Sequence, residues 1–168
     1  MIAIGLLGQC GVLHEEVLAR GYILMVVERR AGAGRAVLFS ALCFVLLHIP
    51  IRGISSMVVS WLLGGLLYGY LYLKSGSLLV TLAAHVLHNI SGDLFLYSDN
   101  GVSLLHFTTP LTGTEKIGRK LILTLVLVGL TSLAYGRGTS FLEPSRRLRE
   151  RWAGMADKQE LQAHSMPT

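Results

Sequence analysis

Two stretches of this chain, 36–47 and 121–135, contain no charged residue. Uncharged apolar runs of that kind have to be enclosed by a protein core or by lipid, and composition favours lipid. Apolar residues make up 52% of the chain and charged residues 15%, well short of the roughly 25% charge usual in soluble domains. Five segments have the hydrophobicity and approximate length of membrane helices, at 11–27, 36–49, 55–73, 77–96 and 121–135. The expected fold is therefore all-α, a polytopic membrane bundle of about five transmembrane helices. Residues 1–136 form its core, and 137–168 a polar, basic tail that is flexible or lies on the membrane surface.

The five segments are joined by short basic loops, so the pI near 9.5 needs no nucleic-acid partner. Cytoplasmic Lys and Arg on a membrane protein give the same balance. No interleaving of aromatic and basic residues suggests an RNA or DNA surface. Membrane lipids are the expected surroundings, and the chain reads as a multi-pass protein of an inner or plasma membrane. Cys10 and Cys43 lie in apolar surroundings without metal-ligand spacing and read as inert thiols. The residues before Cys10 lack the positive region of a signal peptide and read as mature chain.

A bilayer core takes about 20 apolar residues per helix. The second segment, ended by Pro50, is too short for that, and a short helix is tolerated where its end faces protein or a water-filled cavity. Gly64, Gly65 and Gly69 in the third segment suit close helix packing.

Ionisable groups within such segments cost on the order of 2.5–3.5 kcal/mol each at the centre, so they call for an explanation. The first segment holds Glu15, Glu16 and Arg20, the second ends at His48, and the fourth carries His85, His88 and Asn89. Glu16 and Arg20 are four apart and share a helix face, as do Phe44 and His48, and His85 and Asn89. Glu15 is turned about 100° from Glu16. Alone, each pattern has a bland explanation: a charged helix surface, an interfacial histidine, interhelical hydrogen bonds. Together, on three separate segments, they suit hydrolysis. A desolvated Glu15 would serve as general base, an imidazole would orient the water, and an imidazole N–H with the Asn89 amide would hold an oxyanion. His14 and His88 stay unassigned, His106 and His164 read as loop and tail residues, and Asp93 as a residue leaving the membrane.

These residues resemble the three motifs of the CPBP family of CAAX proteases and bacteriocin-processing enzymes. Glu15-Glu16-Val17-Leu18-Ala19-Arg20 is similar to its EExxxR motif, Phe44-Val45-Leu46-Leu47-His48 to FxxxH, and His85-Val86-Leu87-His88-Asn89 to HxxxN. The resemblance runs from about Val12 to Gly92, half of the chain. It implies a glutamate-dependent intramembrane endopeptidase in which Glu15 and His48 activate water, His85 and Asn89 bind the oxyanion, and Glu16, Arg20 and Phe44 support the site. No cofactor is expected. If the enzyme were metal-dependent, zinc would sit on Glu15, His48 and His85, but no HExxH occurs. The family usually has further helices before its first motif, so the chain reads as a minimal or N-terminally shortened member. Ala19 stands where the family often has an aromatic residue.

The implied substrates are membrane-anchored peptides: a C-terminal sorting tag, a leader peptide or a prenylated tail. The alternative is a non-catalytic bacteriocin-immunity or scaffold protein of the same fold, which has no need of buried ionisable groups. With five spans, ten Lys and Arg fall on the side of the tail and four on the other, so the tail is expected in the cytoplasm.

Overall fold

A computed structural model of the chain describes residues 11–54, 57–91, 112–136 and 140–165. All regular structure among them is helical. One continuous helix, α1, covers residues 11–31; its middle, Val17–Leu24, is wound as a π-helix and its end, Met25–Ala31, as an α-helix. The others are α2 (Ala33–Arg52), α3 (Met57–Ser75), α4 (Leu78–Ser91), α5 (Gly113–Tyr135) and α6 (Arg146–Ser165). Three helices are long and apolar enough to cross a membrane, over Ala33–Ile51, Met57–Ser75 and Ile117–Tyr135, and Leu78–Asn89 is a shorter apolar helix. The fold is a helical membrane bundle. Of the five expected spans, α1 carries Glu15, Glu16 and Arg20 within it, and so is not apolar enough by itself.

Two boundaries differ markedly from the expectation. The second helix does not stop at Pro50 but runs through it, from Ala33 to Arg52. A proline in the last turn removes a single backbone donor, and the helix still closes with the Gly53 N–H on the Ile49 carbonyl at 2.8 Å. The short-helix argument for a cavity therefore falls. The fifth helix starts at Gly113, several residues before the apolar run. Thr112 accepts from the Glu115 N–H while the Glu115 carboxylate accepts from the Thr112 N–H, a capping box that draws the polar residues into the helix. The fourth ends its described part at Ser91, and the remainder expected up to residue 96 lies outside the described residues, as do Cys10, Asp93 and His106.

α3 lies at the centre, packed on α2, α4 and α5, with its most extensive contact on α2. The glycines explain how close that contact is. A Cβ on Gly65 would lie 2.9 Å from the Ala41 Cα, and one on Gly69 would lie 3.2 Å from Val37 Cγ1. Small residues let helix backbones approach. Gly64, by contrast, meets only Tyr68 of its own helix.

The tail also departs from expectation. α6 docks on the bundle through Leu148 and Trp152, which join Leu24, Ala36, Val37, Tyr72 and Leu73 in one buried cluster. Lys74, read from sequence as a loop residue, is itself buried and donates to the carbonyls of Ser140 (2.5 Å) and Glu143 (3.0 Å). Arg29, at the end of α1, donates to the Trp152 carbonyl at 3.3 Å. The C-terminal ends of α1 and α3 therefore share one end of the bundle with α6. Tyr70 of α3 bonds Ser132 of α5 at 2.6 Å, which brings the end of α5 there too. Cys43 is half-buried and has a free thiol.

Candidate active site

The opposite end of the bundle gathers the ionisable residues of α1, α2 and α4. Glu16 and Arg20 are fully buried, and Arg20 Nη1 donates to Glu16 Oε1 at 3.0 Å. Arg20 Nη2 reaches across to the Gly65 carbonyl at 3.1 Å. The guanidinium also lies over two rings, 4.8 Å from the Phe44 centroid and 5.5 Å from that of Tyr68. Desolvated cation–π contacts of this kind are worth about 2 kcal/mol. A buried ion pair costs several kcal/mol per ion to desolvate and holds only with such additional partners.

The same Glu16 oxygen accepts from His85 Nδ1 at 2.8 Å. With Nδ1 occupied, the His85 ring turns Nε2 toward Glu15, 4.0 Å from Oε2. Tyr68 stacks on the other side of this imidazole with centroids 4.3 Å apart. His48 is held in a parallel manner: its Nδ1 bonds the Phe44 carbonyl one turn back at 2.8 Å, and its Nε2 lies 3.7 Å from Glu15 Oε1. Phe44 (4.6 Å) and Trp61 (5.1 Å) flank its ring. Glu15 is thus bracketed by two Nε2 atoms and remains 27% exposed, so water reaches it, whereas Glu16 is sealed. A histidine whose Nδ1 is tied down presents Nε2 for chemistry.

The structure brings Glu15, Glu16, Arg20, Phe44, His48 and His85 into direct contact. Asn89 lies one turn beyond His85 on the same face of α4 and is half-buried. His14 is exposed. Ala19 is buried, and its carbonyl accepts from Ser40 Oγ at 2.8 Å, so the position clamps α1 to α2. Tyr68, Trp61, the Gly65 carbonyl and Ser40 were not singled out by sequence. Nothing in a tyrosine on an apolar helix signals that it stacks on a histidine from another helix.

Residues 1–91 match the family model for type II CAAX prenyl endopeptidases, Rce1-like, over more than half of the chain. The chain belongs to this Rce1-like family. No curated protein and no solved structure matches it. Every side chain of the Glu15 cluster lies within the matched residues, whereas α5 and α6 lie outside them. Membership in the Rce1-like family suggests a protease of the CAAX intramembrane type, and with the apolar helices it suggests an integral membrane protein.

Proposed function

We propose that the protein is an intramembrane endopeptidase that hydrolyses a peptide bond of a membrane-anchored substrate, with Glu15 as general base. The observation that carries this reading is the placing of the Glu15 carboxylate between the Nε2 atoms of His48 and His85. Separations of 3.7 and 4.0 Å are too long for direct hydrogen bonds and suit a shared water. His48 Nδ1 donates to the Phe44 carbonyl, so a neutral His48 offers Nε2 as an acceptor. A water donating one hydrogen to Glu15 and the other to His48 directs its lone pair at a substrate carbonyl.

As the water oxygen bonds to the carbonyl carbon, its proton passes to Glu15 and the carbonyl oxygen becomes an oxyanion. His85, protonated with its Nδ1–H on the Glu16 carboxylate, offers Nε2–H to that oxyanion together with the Asn89 amide. Collapse of the intermediate breaks the C–N bond, and the proton on Glu15 moves to the leaving amine. Glu16 and Arg20 orient His85 and do not themselves meet the substrate.

Zinc, if the enzyme used it, would draw on Glu15, His48 and His85. The metal-free route is our reading, because each Nε2 faces Glu15 across a gap that suits a bridging water. The basic ends of α1 and α3 and the basic α6 share one end of the bundle. The positive-inside rule places that end in the cytoplasm and the Glu15 cluster in the opposite half of the membrane, as suits an exported peptide.

The test uses the full chain in proteoliposomes with membrane-anchored peptides. Glu15→Ala and His48→Ala are expected to lose cleavage by at least about 100-fold while remaining folded. Undiminished activity in both would refute the assignment. Chelator is expected to leave the rate unchanged; loss of activity restored by zinc would move the mechanism to the metal.

A further inference from the structure

At the end of the bundle away from Glu15, α1 turns directly into α2. Gly32 is the single residue between them, at φ 82° and ψ 164°, a region open essentially to glycine. So tight a turn sets the last turns of α1 beside the first turns of α2. It leaves an open groove of about 330 Å³ between them. The groove is lined by Val27 and Ala31 of α1 and by Arg35, Leu38, Phe39 and Leu42 of α2, each set at the spacing of one helix face. Leu38, Phe39 and Leu42 are half-exposed, whereas Ala36 and Val37 of the same helix are buried in the bundle. The groove therefore opens outward.

Arg35 is the one polar residue among the six. It is exposed, and no carboxylate among the described residues pairs with it. From Arg35 to Leu42 the wall runs about 10 Å along α2, inward from the start of the apolar span Ala33–Ile51. A cation thus stands at the membrane surface and an apolar wall descends from it. That is the polarity of a phospholipid lying beside the helices. A soluble phosphate would leave the wall bare, and an apolar helix would leave Arg35 without an anion.

We propose that the α1–α2 groove binds one anionic phospholipid, with its phosphate on Arg35 and an acyl chain along Leu38, Phe39 and Leu42. A guanidinium takes a phosphate through two parallel N–H donors. A zwitterionic lipid brings its own cation to that phosphate, so a net negative headgroup is preferred. The site is separate from the Glu15 cluster and does not depend on the hydrolase reading.

Full-length protein in dodecyl maltoside is titrated with an equimolar mixture of dioleoyl phosphatidylglycerol and phosphatidylcholine, and retained lipid is identified by native mass spectrometry. The first lipid retained is expected to be phosphatidylglycerol, by about fivefold or more over phosphatidylcholine. Arg35→Gln should abolish the preference. Leu38→Trp, which fills the groove and keeps the charge, should lower retention of that lipid severalfold. Arg146→Gln, at an exposed arginine of α6 paired with Glu150, should leave the preference unchanged. If Arg35→Gln does not fold, the Leu38→Trp and Arg146→Gln results decide. Equal retention of both lipids by the wild type, or a preference that survives folded Arg35→Gln, overturns the site. So does an equal loss in Arg146→Gln, since a diffuse basic surface would then suffice. Retention unchanged by Leu38→Trp, or displacement of the lipid by excess glycerol phosphate, also overturns it, because the headgroup alone would be the ligand.

Discussion

His85 donates through Nδ1 to Glu16 across 2.8 Å, although 69 residues separate them in the chain and the catalytic proposal belongs to the neighbouring Glu15. Adjacent carboxylates thus have separate roles. Glu16 is buried with Arg20 and fixes a histidine, and Glu15 stays partly open between two Nε2 atoms.

That division predicts opposite outcomes for two similar substitutions. Glu16→Ala leaves Arg20 buried without its counter-charge and should cost about 3–5 kcal/mol, the usual penalty for removing one partner of a buried pair. Glu15→Gln removes no buried pair and should change stability by less than about 1 kcal/mol while abolishing cleavage. Thermal unfolding in detergent together with peptide cleavage separates the two; an equal loss of stability in both would contradict it.

Gly65 carries two constraints at once. A methyl there would lie 2.9 Å from the Ala41 Cα, and the same residue's carbonyl holds Arg20. Gly65→Ala should therefore cost about 1–3 kcal/mol by overpacking and slow cleavage with it. Gly64→Ala, which meets only its own helix, should be close to neutral. A proteoliposome assay of both variants against their melting temperatures checks the pair.

α6 is expected to support the fold. Leu148 is fully buried beside Leu24 and Leu73, so Leu148→Ala should cost about 2–5 kcal/mol. Deleting the chain after residue 142, which removes α6 and its Leu148 and Trp152 contacts, should lower the melting temperature. Lys74→Met should leave the helices intact but raise hydrogen exchange over residues 140–148, because the carbonyls of Ser140 and Glu143 lose their donor.

Acid should fray the start of α5. The Glu115 carboxyl is held below its usual range by the Thr112 backbone and hydroxyl groups. A carboxyl with a depressed folded pKa contributes stability that is complete above its unfolded value of 4.5. That contribution is lost as pH falls through the folded value. Hydrogen-exchange protection over residues 112–118 should fall as pH drops below about 4.5, and Glu115→Gln should remove the dependence.

How much of this was legible in the residues differs by level. The apolar runs announce a helical membrane bundle because lipid leaves the backbone no other partner. Spacing of four marks Glu16 with Arg20 and Phe44 with His48, because that spacing returns a side chain to the same face. The limits of such reasoning show at Pro50, where a helix-breaking residue is tolerated in a last turn, and at Lys74, whose burial depends on a segment 66 residues away.

By itself, then, the sequence determined the lipid-facing character of the bundle and which side chains share a helix face, since both follow from local composition and periodicity. Only the tertiary structure decided that His85 meets Glu16, that Tyr68 stacks on His85, and that α6 closes the basic end. Those are contacts between distant segments, and they depend on how helices rotate about their axes as they pack. The π-helical winding of Val17–Leu24 alters that rotation beside the two glutamates, and no spacing in the sequence encodes it.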